Sequence, residues 1–220
     1  MSASQKIPLR ERKHAQTRLK LSQAMVAQLE TQPLEALSVR GLCEAAEVSE
    51  ATFFNYFPRK ADLVAYVSAL WALEVAWQVS HAGTRGLAAV GVAFDHAARQ
   101  IQRHPGVMGE IIAYQARLRE RPEPPGLSRA ERLLAYPDLP GIEDVPPGGL
   151  EGVLVPNLQH AIDTGELPSN THLPTVMVSL AAVFHGVPLA LGPGGAQGVG
   201  SRYRQQLALL WAGVRAMAGP

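Results

Sequence analysis

A chain of 220 residues has room for one large domain or two modest ones, and a hydrophobic fraction of 47% is ample for a buried core. The net charge of +1 excludes a globally polybasic or polyacidic protein. A single cysteine, Cys43, excludes an intrachain disulfide and gives no sign of an oxidising compartment.

Residues 1–8 read as a tail without structure. Ahead of Leu21 stand Lys6, Arg10, Arg12, Lys13, Arg18 and Lys20 against Glu11 alone. Such an arm is either a solvated basic tail or a phosphate-binding footprint. It is polar throughout, unlike a secretory signal, so the expected localisation is cytoplasmic. A first helix is predicted over 9–32, with Leu21, Ala24, Met25 and Leu29 inward and Pro33 as its stop.

The stretch 38–60, SVRGLCEAAEVSEATFFNYFPRK, reads as helix, tight turn and short helix. Ser38 and Ser49 are placed to cap the two helices. Val39, Leu42, Cys43 and Ala46 form one apolar face, and Cys43 is expected in the core. Phe53 and Phe57 pack the second helix back, while Pro58 ends it. Outward lie Glu50, Thr52, Phe54, Asn55 and Tyr56. This fits a helix-turn-helix entering the DNA major groove, and equally a helical hairpin whose aromatics are core.

Downstream, a helix from Lys60 to about residue 80 carries Leu63, Val67, Leu70, Trp71 and Trp77 inward. Leu87, Val90, Gly91, Phe94, Ala98 and Ile101 make the cleanest helical stripe, stopped by Pro105. Met108, Ile111, Ile112, Gln115 and Leu118 mark a sixth helix. Prolines crowd 121–149, a long loop of the kind that is functional or mobile, with a short helix near 128–134. Further helices are predicted over 150–163, from Pro174 onward, and over 200–217. The apolar run 173–191 only just reaches bilayer-spanning length and is interrupted by Ser179, His185, Gly186 and Pro188, so a buried or dimer-forming helix is expected and no membrane partner. No strand pattern is visible, and the expected fold is all-α.

The segment AEVSEATFFNYFPRKADLV resembles the DNA-binding region of the tetracycline-repressor (TetR) family of transcriptional regulators. Val48, Ser49, Thr52, Phe53, Phe54, Tyr56, Phe57 and Lys60 match its pattern, as do Val39, Leu42 and Leu63 around it. Two positions depart from it: Glu47 stands where the turn usually has glycine, and Phe54 where tyrosine is frequent. The resemblance covers roughly the first quarter of the chain. It implies a helix-turn-helix domain over 1–62, a helical ligand-binding and dimerisation domain over 63–220, and about nine helices in all.

By resemblance and geometry together, Thr52, Tyr56 and Lys60 are expected at phosphates, and Arg40, Glu50, Ala51, Phe54 and Asn55 at bases, with Ser49 in the same contact set. The implied partner is double-stranded DNA carrying a palindromic operator, read by a homodimer with half-sites about 34 Å apart or a multiple of that. Val176, Leu180, Val183 and Val187, with Leu207, Leu210, Trp211 and Val214, are the expected dimer surface. Trp71, Phe94, Met108, Ile111, Ile112, Gln115 and Phe184 are the expected lining of a site for a hydrophobic or aromatic effector, with His96, His104, Arg117 and His185 as further polar anchors. Binding would release a repressor, the helix with Trp71 and Trp77 acting as lever.

No phosphate-cradling glycine loop, nucleophile elbow or metalloprotease motif occurs, so no catalytic residue, cofactor or enzymatic activity is expected. The glycines of 192–200 read as a linker. The histidines lack chelating spacing, His96 and His104 lying about 12 Å apart along a helix, so no metal is expected. The competing reading is a helical enzyme or carrier using an apolar C-terminal pocket, without DNA binding.

Overall fold

The computed structural model describes residues 7–117 and 125–217, and all regular structure in them is helical. Lys6, Leu118, Pro122 and Pro124, and most of the N-terminal tail, lie outside the described residues. Ten α-helices follow in order: α1 (Leu9–Leu29), α2 (Val39–Ala46), α3 (Glu50–Tyr56), α4 (Lys60–His81), α5 (Gly86–Arg103), α6 (Pro105–Arg117), α7 (Arg129–Ala135), α8 (Gly149–Asp163), α9 (Leu173–Leu191) and α10 (Val199–Met217). The expected first helix over 9–32 is shorter than predicted, because a separate 3-10 turn, Leu34–Ala36, follows Pro33.

Two hydrophobic cores form, and α4 serves both. Leu63, Val64, Tyr66, Val67 and Leu70 close the N-terminal core over Leu21, Met25, Leu42, Phe53 and Phe57. Val75 and Val79 enter the C-terminal core with residues of α5, α8, α9 and α10, and Trp71 borders both. At 1.5 Å per residue, α4 spans about 33 Å, enough to bridge them. At Leu70, eight residues past the predicted boundary at 62, α4 is therefore still part of the first core. Val107 and Ile111 of α6 also pack there.

Helix α6 meets the end of α1 through a polar seam. Gly106 permits the approach, since a Cβ there would sit 2.2 Å from the Leu29 carbonyl oxygen. His104 Nδ1 hydrogen-bonds the Glu30 carboxylate at 2.7 Å, Leu34 N donates to Glu110 at 3.0 Å, and Arg117 pairs with Glu35.

The proline-rich stretch is ordered where it is described. Ser128 caps α7 and accepts from Glu131 N at 3.2 Å, while the Glu131 carboxylate accepts from Ser128 N at 2.7 Å. This reciprocal pair is a capping box, which nucleates a short helix among prolines. A further 3-10 turn, Ile142–Asp144, buries Ile142 against α4.

Proline also interrupts α9 without ending it. Pro188 has no N–H for the carbonyl of Phe184, four residues earlier. The Tyr203 hydroxyl of α10 donates to that carbonyl at 2.6 Å instead. Phe94, Phe184 and Tyr203 form one aromatic cluster around this bond.

The turn between α2 and α3 is closed by Glu47 in the left-handed region, at φ 57° and ψ 43°. Val48 N reaches the Cys43 carbonyl at 3.0 Å, satisfying the end of α2. A β-carbon in that region costs about 1–2 kcal/mol. The exposed Lys20–Glu47 ion pair returns at most about 1 kcal/mol. Glu47→Gly is therefore expected to raise unfolding free energy by about 1 kcal/mol, read by chemical denaturation; a destabilised variant would refute the strain.

Lys60, at the start of α4, turns inward. Its ammonium donates to the carbonyls of Leu34, Leu37 (2.7 Å) and Glu35 (3.4 Å), closing the 3-10 turn against α4. Burial lowers its pKa from the ordinary lysine value. Lys60→Met leaves those carbonyls without their donor, and a loss of about 1–3 kcal/mol in thermal or denaturant unfolding is expected.

Candidate nucleic-acid interface

The interface is built on two short capped helices. Ser38 Oγ accepts from Gly41 N at 2.9 Å, and Ser49 Oγ accepts from Thr52 N at 3.1 Å. Phe53 and Phe57 are buried, 0% and 2% exposed, and fix one side of α3 to the core. Helical periodicity then turns Glu50, Ala51, Phe54 and Asn55 to the surface. Phe54 is 49% exposed, although its ring meets Phe53 edge-on at 5.4 Å. An exposed aromatic beside exposed polar groups is chemically suited to stacking or methyl contact in a groove.

Arg40 on α2 is exposed beside this face, and its Nε donates to Glu44 at 2.8 Å. Thr52 is half-buried, its hydroxyl 2.8 Å from that of Ser49. Tyr56 is half-buried against His14 of α1, ring centroids 4.7 Å apart. Arg10, Arg12 and Lys13 are exposed on the first turns of α1. The structure thus gathers Arg40, Ser49, Glu50, Ala51, Thr52, Phe54, Asn55 and Tyr56 on or around α3.

Three basic residues are placed differently from the sequence expectation. Lys60 is occupied by backbone carbonyls and is not presented to a phosphate. Lys20 pairs with Glu47 at 3.0 Å. Arg18 points into the protein, where its guanidinium lies 4.2 Å from the Tyr66 ring centroid and 5.1 Å from that of Phe57. Its partner is Glu131, 2.7 Å away and 1% exposed, a residue sequence reasoning had not singled out. The capping-box spacing of Ser128 and Glu131 was the available signal, but it named a helix start and not a partner.

The other two expected sets fare unevenly. Phe94, Met108, Ile112, Phe184 and Trp71 belong to the C-terminal core, Ile111 is buried in the N-terminal core, and Gln115 is exposed, so the seven do not line one cavity. A cleft of about 610 Å³ lies elsewhere, between α4, α8 and residues 145–149. Val176, Leu180, Leu207 and Trp211 are buried within the chain, which corrects their assignment to a partner surface. Val183, Val187, Leu210 and Val214 are half-buried against the same core. The exposed faces are the opposite ones, Val178, Ala181, Ala182 and Leu189 on α9 and Leu209, Ala212 and Ala216 on α10. Of the anchors, His96 is buried beside Glu74 at 3.2 Å, and burial, which raises the Glu74 pKa, is outweighed by hydrogen bonding from His96 and Gln100, so the net shift is downward.

Residues 23–67 match the family described as bacterial regulatory proteins, tetR family. Comparison with curated proteins finds no match. Among solved structures, a TetR transcriptional regulator from Rhodococcus sp. RHA1 is similar at 18% identity, with a TM-score of 0.52, over 92% of this chain and 98% of that one. Likeness at that identity speaks for the fold, and the family match is confined to the segment that contains α2 and α3. Residues 23–67 are thus similar to the DNA-binding segment of tetR-family regulators, and the chain as a whole shares a helical fold with one of them.

Proposed function

We propose that this protein is a DNA-binding transcriptional regulator of the TetR family, a repressor bound as a homodimer to a palindromic operator and released by a hydrophobic small molecule. The observation that carries the DNA-reading part is the division of α3: Phe53 and Phe57 anchor it while Glu50, Ala51, Phe54 and Asn55 stay outward. In this reading Asn55 pairs with adenine, Arg40 with guanine, and Glu50 with a cytosine amine. Thr52, Tyr56 and the exposed Arg10, Arg12 and Lys13 contact phosphates. Functionally, 1–62 reads DNA and 63–220 binds effector and partner, with α4 crossing between them.

The exposed faces of α9 and α10 support the homodimer. Helix α9 has a mean hydropathy of 1.7 and only 17% of it is buried, an apolar surface that a second copy would cover. By length and composition α9 and α4 also pass for membrane spans, but α4 is the helix shared by both cores. The effector is assigned to the cleft between α4 and α8, whose size suits a small molecule. Ala76, Val79, Val145 and Val153 supply apolar walls, and Arg85 and His160 supply polar groups. An effector favouring a different α4 arrangement weakens operator binding by its differential affinity and no more.

Selection of duplexes from a random pool, followed by mobility shifts at several salt concentrations, tests the reading; no selected duplex would defeat it. Asn55→Ala is expected to relax preference at one base pair, costing about 1–3 kcal/mol there. Lys13→Ala should instead weaken all sequences alike and reduce the salt slope by about 1. Sedimentation at micromolar concentration should show a dimer, and Leu189→Glu with Leu209→Glu should give a folded monomer. A wild-type monomer would rule out the two-fold operator.

A further inference from the structure

We infer that Glu131 is a positioning residue for DNA reading, holding the end of the recognition helix from α7 through Arg18 and Tyr66. Its Oε1 accepts from Arg18 Nη1 at 2.7 Å and from the Tyr66 hydroxyl at 2.9 Å. Its Oε2 accepts from Ser128 N at 2.7 Å, which ties the carboxylate to its own helix. Arg18 then lies over the rings of Tyr66 and Phe57. Phe57 is the C-terminal cap of α3, so the guanidinium sits directly behind the reading helix.

Among the described residues, Glu131 is the anion paired with the half-buried Arg18 cation. Arg18 Nε is buried without a hydrogen-bond partner, and the contact with Glu131 is its ion pair. Without the carboxylate, the guanidinium must move toward water, because an unpaired buried charge is strongly disfavoured. That movement withdraws it from beneath Phe57, and α3 loses its backing on that side. Tyr66 keeps its own ring against Phe57 at 5.4 Å but loses the acceptor of its hydroxyl.

The next residue on α7, Arg132, ties that helix to the segment walling the cleft. Arg132 donates to the carbonyls of Glu143 at 3.3 Å and Val145 at 2.5 Å, and Val145 forms part of the cleft wall. Neighbouring residues of one short helix therefore grip the cleft wall and the underside of α3. This gives the C-terminal half a route to α3 that is separate from α4. It rests on the proposed reading of DNA by α3, and deepens it.

The test compares binding of the duplex selected by the wild-type protein with binding of a scrambled duplex. Glu131→Gln is expected to lower the ratio of the two affinities at least about fivefold, with scrambled-duplex affinity unchanged. Tyr66→Phe, which removes one donor and keeps the ring, should move the ratio the same way by less, and amide exchange at 50–57 should quicken in both relative to 39–46. Parallel loss of both affinities, or an unchanged ratio, would overturn the role of Glu131. If Glu131→Gln fails to fold, Tyr66→Phe decides by the same criterion. A wild type that selects no duplex would overturn the regulator reading and this role together, whereas a selected duplex with an unchanged ratio overturns this role alone.

Discussion

Burying a carboxylate costs several kcal/mol in desolvation, by order of magnitude about as much as a small domain has to spare. Glu131 is buried almost completely, and three donors from three places offset that cost: Arg18 of α1, Tyr66 of α4 and its own helix's cap at Ser128. Each partner constrains the others. Arg18 needs the anion, Tyr66 needs an acceptor, and burial together with the nearby negative charge pushes the Tyr66 pKa well above the usual phenol range. The result pins α7 to the N-terminal core, although α7 comes after α5 and α6 in sequence.

That pin, with the α6 seam at Glu30, Leu34 and Glu35, makes the helix-turn-helix unit part of a larger body. Helix α4 does the same by hydrophobic means, lending one end to each core. A three-helix unit of this size buries little apolar surface alone. Support from α4, α6 and α7 is what lets two short helices present a defined face. The same contacts join the two halves of the chain, since what steadies α3 is also attached to helices that line the cleft.

In the C-terminal half, hydrogen bonding decides where proline is tolerated. Pro188 stays inside α9 because Tyr203 serves the carbonyl it leaves open, and burial raises the Tyr203 pKa from its ordinary value. The bond fastens α9 to α10 at the aromatic cluster, so the two helices are fixed against their own core before any partner arrives. Their remaining faces stay apolar and exposed.

Much of this was legible from residues alone where the determinants are local. Ser38, Ser49 and Ser128 act within three residues of themselves, the spacing of Phe53 and Phe57 selects one side of a short helix, and Pro58 stops α3 by restricting the residue before it. The helix-turn-helix and the helix inside the proline-rich stretch follow from such rules. The directions of Arg18 and Lys60 do not. A long cationic side chain goes to water, a phosphate or a buried acceptor according to what the rest of the fold brings near, and the acceptor of Arg18 is 113 residues away. The sidedness of α9 was equally closed to periodicity, because a helix apolar nearly all round offers no stripe to choose; packing against α8 and α10 chose Val176 and Leu180 for the core and left Val178 outside. Sequence by itself determined the helices and the outward face of α3, since those depend on neighbours along the chain. Only tertiary structure decided which charges are buried, which apolar face is free and where the cleft lies, because each depends on residues brought together from distant parts of the chain.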